Sequence, residues 1–80
     1  MNTLSKERYS EYFYKLTYNS VYEGNSLQEI NNILKVYEEI EDYEACAGIN
    51  KALNEIKVMT LSEFIDKINY IHGRLSHWKD

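Results

Sequence analysis

The apolar residues between Leu27 and Ile56 cannot all share one face of one helix. Leu27, Ile30, Ile33, Leu34 and Tyr37 recur at spacings of three and four, the signature of an amphipathic helix. Ile49, Leu53 and Ile56 form a second stripe that is out of phase with the first. A straight helix carrying both stripes would leave one of them in water. A bend near Glu41 and Asp42 lets both face a common core, and Asp42 suits the N-cap of a helix that restarts at Tyr43. The stretch from Tyr37 to Leu53 is therefore expected to be the hinge of a helical hairpin, acidic at the bend and rich in small residues just after it.

Other punctuation points to helices as well. Ser26-Leu27-Gln28-Glu29 and Thr60-Leu61-Ser62-Glu63 are capping boxes, in which the hydroxyl residue and the glutamate satisfy each other's free amides. There is no proline, and the three glycines supply few turns, which argues against many short strands. A first helix is expected from about Ser5 to Tyr18 or a little beyond, with a loop around Gly24 over Val21–Asn25. The second follows the Ser26 box to about Ile40. The third begins at Tyr43 and gives way to a connection at Lys57–Met59. The fourth carries Leu61, Phe64, Ile65, Ile68, Ile71 and Leu75 on one stripe. The predicted fold class is all-α: a compact bundle of four short helices containing the hairpin, with residues 1–80 as a single helical domain.

At 100° per residue, Tyr9, Tyr12, Phe13 and Leu16 share a face of the first helix, and that face is expected to meet the core. Tyr14, Tyr18 and Tyr22 lie on roughly the opposite face. The expected core is Tyr9, Phe13, Leu16, Ile30, Leu34, Tyr37, Ile49, Leu53, Ile56, Leu61, Ile65, Ile68 and Ile71. Ala45-Cys46-Ala47-Gly48 puts four small residues in the third helix. A glycine there costs about 1 kcal/mol relative to alanine, and close approach of another backbone is the usual compensation.

Asp42-Tyr43-Glu44-Ala45-Cys46-Ala47-Gly48-Ile49 resembles the UVR motif, a short helical hairpin of the UvrB and UvrC repair proteins and of regulators of Clp proteases and arginine kinases. Asp42, Tyr43, Glu44, Cys46, Ala47, Ile49 and Leu53 occupy the matching positions. Asn50-Lys51 stands where the family commonly has Arg-Asp. The resemblance covers roughly Ile33 to Ile56. It implies a hairpin that docks another protein, and it implies no repair activity, because the motif has no catalytic residue.

Several chemistries find no support in the residues. His72 and His77 are five apart and do not share a helix face as ligands at i and i+4 would, so no metal site is expected. Cys46, the single cysteine, sits among small apolar neighbours and reads as an inert core thiol. No cofactor motif, no phosphate-binding glycine loop and no nucleophile with a base is present, so no catalytic residue is assigned and the chain is expected not to be an enzyme. A net charge of −4 disfavours non-specific binding to nucleic acid or to an anionic membrane. No apolar run is long enough to span a bilayer, and Met1–Lys6 lacks a signal-peptide stretch, so a cytoplasmic location is expected. The abundance of Asn, Lys, Ile and Tyr hints at an AT-rich bacterium or phage.

Two features remain as candidate contact surfaces. Glu38, Glu39, Glu41, Asp42 and Glu44, with Tyr37 and Tyr43 flanking the bend, read either as a contact for a basic protein surface or as a solvated helix turn. Tyr14, Tyr18 and Tyr22 read either as an interface for a partner or second copy, or as a stripe covered by the segment around Trp78. The expected function is a small non-enzymatic protein–protein interaction module, an adaptor or regulator docking through its hairpin and its tyrosine-rich face. The alternative is an inhibitor encoded by a phage or mobile element, comparable to anti-CRISPR proteins, that occludes a nucleic-acid-binding surface.

Overall fold

The computed structural model describes residues 3–73, with side chains from residue 6 onward. Four helices follow in order: α1 (Thr3–Tyr22), α2 (Leu27–Glu39), α3 (Tyr43–Val58) and α4 (Leu61–Ile71). No strand occurs among the described residues. The fold class is all-α, as expected, and Leu75, His77 and Trp78 lie outside the described residues.

Each junction is built from local chemistry. α1 runs through Val21 and Tyr22, which were expected to lie in a loop. Gly24, at φ +109°, stops it. The amide of Gly24 donates to the Val21 carbonyl and that of Asn25 to the Ser20 carbonyl, the paired bonds of a Schellman ending. The turn of helix past Tyr18 therefore survives because its carbonyls are satisfied from beyond the glycine. Both capping boxes form, at Ser26 with Glu29 and at Thr60 with Glu63.

The bend predicted at Glu41 and Asp42 is present. The amides of Glu41 and Asp42 donate back to the carbonyls of Glu38 and Tyr37, a second Schellman ending. Here the left-handed position is held by Glu41, at φ +60°, where glycine is the usual residue. Asp42 then caps α3 by accepting from the Ala45 amide at 3.4 Å. Its second oxygen accepts the Tyr9 hydroxyl at 2.6 Å, which ties the bend to α1.

α1 and α3 run parallel. Tyr9 meets Asp42 at the start of α3, and Tyr18 meets Glu55 near its end. α2 returns antiparallel between them in sequence, with Tyr37 edge-on to Phe13 at 5.1 Å. At the α1–α3 crossing, Gly48 faces bare backbone. A Cβ there would overlap the Ser10 carbonyl oxygen and sit 2.9 Å from the Tyr14 nitrogen. This is the close approach that the small-residue run predicted.

The core has two parts. Phe13, Ile30, Leu34, Cys46, Ile49 and Leu53 join α1, α2 and α3. Tyr18, Ala52 and Ile68 join α1, α3 and α4, flanked by Phe64, Ile56 and Ile71. Four expected core residues are exposed, Tyr9, Leu16 and Ile65 by about two-fifths and Leu61 by 77%, and Tyr37, Ile56 and Ile71 are half-buried. Conversely Tyr18, assigned to an outer face, is fully buried. The reason is that α1 is flanked on both sides. α2 lies along its Tyr9–Phe13–Leu16 side and α4 along its Tyr14–Tyr18 side, and the α3 crossing falls between them at Ser10, Phe13 and Tyr14. On α4, Ile68, Phe64 and Ile71 face inward, and Leu61 and Ile65 fall to one side of that line. The molecule measures 42 × 32 × 18 Å. Helices are about 10–12 Å across with side chains, so that thickness is less than two full layers and cannot cover every apolar face.

Candidate functional site

The hollow with the most apolar lining is a cleft between α1 and α2. Its walls and floor are Phe13, Leu16, Thr17 and Ser20 from α1, Ile30, Ile33 and Tyr37 from α2, and Ile49 from α3. Its volume is about 210 Å³. Leu16 and Ile33 face each other across the mouth, 41% and 47% exposed. Tyr9 and Tyr12 extend the α1 wall, and Tyr12 meets Phe13 edge-on at 5.4 Å. Val36 and Ile40, three and seven residues beyond Ile33, continue an exposed row along α2. Of the three hydroxyl residues that line it, Thr17 is spent on the Phe13 carbonyl at 2.8 Å, and Ser20 and Tyr37 are the other two. The cleft therefore offers mainly shape and apolar area.

The hairpin tip adjoins one end of this row. Glu38, Glu39 and Glu41 are exposed there, and none is ion-paired to a described residue. They stand at the C-terminus of α2, whose last turn has no basic residue. A helix C-terminus carries partial negative charge and favours cations, so acids at this pole add to an uncompensated negative potential. Tyr43 is 67% exposed on the far side of the bend.

The tyrosine stripe is a different object from the one expected. Tyr18 cannot touch a partner, because none of its surface is exposed. Its ring stacks on Phe64 at 5.9 Å. Tyr14 is half-buried and also engaged. Both hydroxyls donate to the same oxygen of Glu55, Tyr14 at 2.5 Å and Tyr18 at 2.7 Å. Lys67 lies 3.9 Å from that oxygen, and Lys51 sits 4.9 Å over the Tyr14 ring. Burial works to raise the Glu55 carboxyl, but the two phenols, then Lys67 and Lys51, outweigh it and hold the group below the usual carboxylate range. Burial, followed by the bond to Glu55, pushes the Tyr18 phenol far above the usual tyrosine range. The Oε1 of Glu55 is thus saturated by donors. The arrangement stitches α1, α3 and α4 together.

Only Tyr22 of the stripe is exposed, at 56%, edge-on to His72 at 6.3 Å. It lies at the opposite end of α1 from the acidic tip. The structure thus brings Glu38, Glu39, Glu41 and Tyr43 together at the bend, places Tyr14 and Tyr18 in the interior, and leaves Tyr22 apart. Tyr12, Leu16, Ile33, Val36 and Ile40 were not singled out as contact residues. The signal for them was present: the apolar residues of α1 cover too wide an arc to be buried by one neighbour, and Val36 and Ile40 fall just outside the stripe that packs.

A wider hollow of about 390 Å³ lies over Gly48, edged by Glu7, Glu11, Tyr14 and Lys51. Its charges are mixed, and Glu11 is already paired with Lys15 at 3.4 Å. Cys46 is buried, and burial, then Glu38 and Asp42, raise its thiol, which keeps it protonated and unreactive. Among the described residues no group of three potential ligands could hold a metal ion, and no helix is long and apolar enough to cross a membrane. No protein-family model matches the chain, and neither a curated protein nor a solved structure does so.

Proposed function

We propose that this protein is a non-enzymatic interaction module that docks another protein through the α1–α2 face and the hairpin tip. The observation that carries this reading is the row of exposed Tyr12, Leu16, Ile33, Val36 and Ile40 beside an apolar cleft. Scattered apolar surface is ordinary, but a contiguous patch rimmed by charge marks an interaction site. The UVR-like resemblance of Ile33–Ile56 agrees with a docking role for the hairpin, and we read the two as one surface in which α2 supplies both the cleft wall and the acidic tip. The partner surface differs from the sequence expectation. Tyr14 and Tyr18 are replaced by Tyr12 and Leu16, on the side of α1 that faces α2.

Glu38, Glu39 and Glu41, which pair with no described residue, favour a second reading within the same class. A protein that mimics the negative charge of nucleic acid would present carboxylates of this kind to a basic surface, as an inhibitor from a phage or mobile element would.

Capture from an extract of the native host, with the tagged chain as bait, tests both. A partner that is displaced by excess untagged protein and lost with Tyr12→Ala plus Ile33→Ser supports the module. Displacement of that partner by DNA or RNA favours the inhibitor. Saturable turnover of a small molecule by the purified chain would overturn the non-enzymatic reading.

A further inference from the structure

We infer that the α1–α2 cleft receives one amphipathic helix of a partner protein, and that this helix is cationic at the end lying against Glu38, Glu39 and Glu41. The inference deepens the docking role proposed above and rests on it.

The walls exclude other occupants. Both are α-helices, whose backbone groups are satisfied internally, so no strand edge exists to pair with an extended peptide. The cleft, at about 210 Å³, is smaller than the roughly 300–1,000 Å³ of small-molecule sites. It fits one or two aliphatic or aromatic side chains entering from above. From Tyr9 to Ser20 the α1 wall rises about 16 Å, or three helical turns. That length matches anchors at i, i+3 or i+4, and i+7 on an opposing helix.

Charge selects the partner. The cleft's tip end combines three carboxylates that pair with no described residue and the negative pole of α2. Two copies of this chain, each at −4, repel one another, which disfavours a homodimer across this face. A helix with Lys or Arg near the tip removes a repulsion that the free protein carries. Apolar anchors would supply most of the affinity, and the charges would set orientation and encounter rate.

The test is a selection of displayed helical peptides of about 15 residues, the length that spans the cleft, against the full chain. Binding is then mapped by amide chemical shifts. The expected result is enrichment of cationic sequences with apolar residues at helical spacing, and shifts centred on Leu16, Ile33 and Val36. A selected peptide should bind about tenfold more weakly to Leu16→Asp, and similarly to Val36→Glu, a rim change at a 55% exposed position that leaves the core intact. Converting Glu38, Glu39 and Glu41 to Gln should flatten the salt dependence of binding. Enrichment of acidic or non-helical sequences overturns the inference, as does mapping to Val58, Leu61 and Ile65. The first leaves docking through the α1–α2 face standing, whereas the second keeps an interaction module but moves its surface to the end of α3 and to α4. A dimer in sedimentation that Val36→Glu dissolves assigns the cleft to a second copy and also overturns it. So does the absence of any enriched peptide, in which case the host-extract capture decides separately whether the protein docks a partner at all.

Discussion

Tyr18 and Glu55 form the most consequential pair of residues in the protein. Tyr18 has no exposed surface, and its hydroxyl is one of two that hold Glu55 ionised. Tyr18→Ala should therefore cost about 3–5 kcal/mol, as for a large aromatic removed from a core, which is a large part of the stability of a chain this small. Tyr18→Phe keeps the ring and removes one charge-assisted bond, so it should cost about 1.5–3 kcal/mol near neutral pH. The pH dependence of that difference is bell-shaped. Glu55 is depressed below its ordinary 4.5 in the fold, so its contribution is present above that value and lost as pH falls through the folded one. Tyr18 is raised, so its contribution is complete below the ordinary 10.0 and lost as pH rises beyond it. Urea melts of wild type and Tyr18→Phe should diverge most near neutrality and converge in acid and in strong alkali. A difference that does not vary with pH would mean that the bond to an ionised Glu55 is not what Tyr18 contributes. Tyr9 is bonded to Asp42 and is pushed up to about 12 by that bond first, then by burial. It should be the exposed phenol that titrates last.

At the scale of elements, two turns and one crossing decide the architecture. Glu41 sits at φ +60° because the α2–α3 bend needs a left-handed residue. A non-glycine residue in that region costs roughly 1–2 kcal/mol, against about 0.4–1 kcal/mol of extra unfolded-state entropy from a glycine. Glu41→Gly should thus raise stability by up to about 1 kcal/mol, which for a chain of this size is a rise in melting temperature of roughly 4–8 °C. Gly48→Ala has the opposite sign despite alanine's better helix propensity. The added methyl meets Ser10 and Tyr14 backbone, which cannot rotate away. A loss of at least about 1–3 kcal/mol is expected by thermal melting. The hairpin and the close crossing were legible because their causes are local: a phase change, an N-cap, a run of small residues. The burial of α1 was not. Tyr9, Tyr12, Phe13 and Leu16 make one apolar face and Tyr14, Tyr18 and Tyr22 another, and periodicity cannot say that α2 and α4 flank the helix on opposite sides. The cleft was missed for the same reason, since Leu16 reads as core and Ile33 as part of the packing stripe until the gap between their helices is seen.

The whole molecule is flat and unevenly packed, and its stability should follow that pattern. α3 is the element best enclosed, with Ala45, Cys46, Gly48, Ile49, Ala52 and Leu53 all buried. α4 contributes one buried residue, Ile68, with Phe64 and Ile71 half-covered. Its other ties are polar and peripheral: Lys67 near Glu55, and the His72 Nε2 donating to the Asn19 Oδ1 at 2.7 Å. Leu61 adds little to its hold, because it remains 77% exposed, and Ile65 is only partly covered. Proteins open in cooperative pieces, and pieces with few buried contacts open at lower free energy than the global transition. Native-state hydrogen exchange should therefore find the α4 amides exchanging through a local opening, while α3 amides exchange only with global unfolding. Ile68→Ala should lower the α4 opening energy more than the global one. Leu53→Ala, in the enclosed part, should lower both by about 2–5 kcal/mol. Opening of α4 uncovers Tyr18 and Phe64 and leaves the α1–α2 cleft untouched, since that cleft is lined by α1, α2 and α3 alone. A ligand of the cleft should accordingly slow exchange in α1 and α2 and leave the α4 opening unchanged. If α4 and α3 instead exchange with one common free energy, the two core clusters unfold as a unit and the uneven packing has no energetic counterpart.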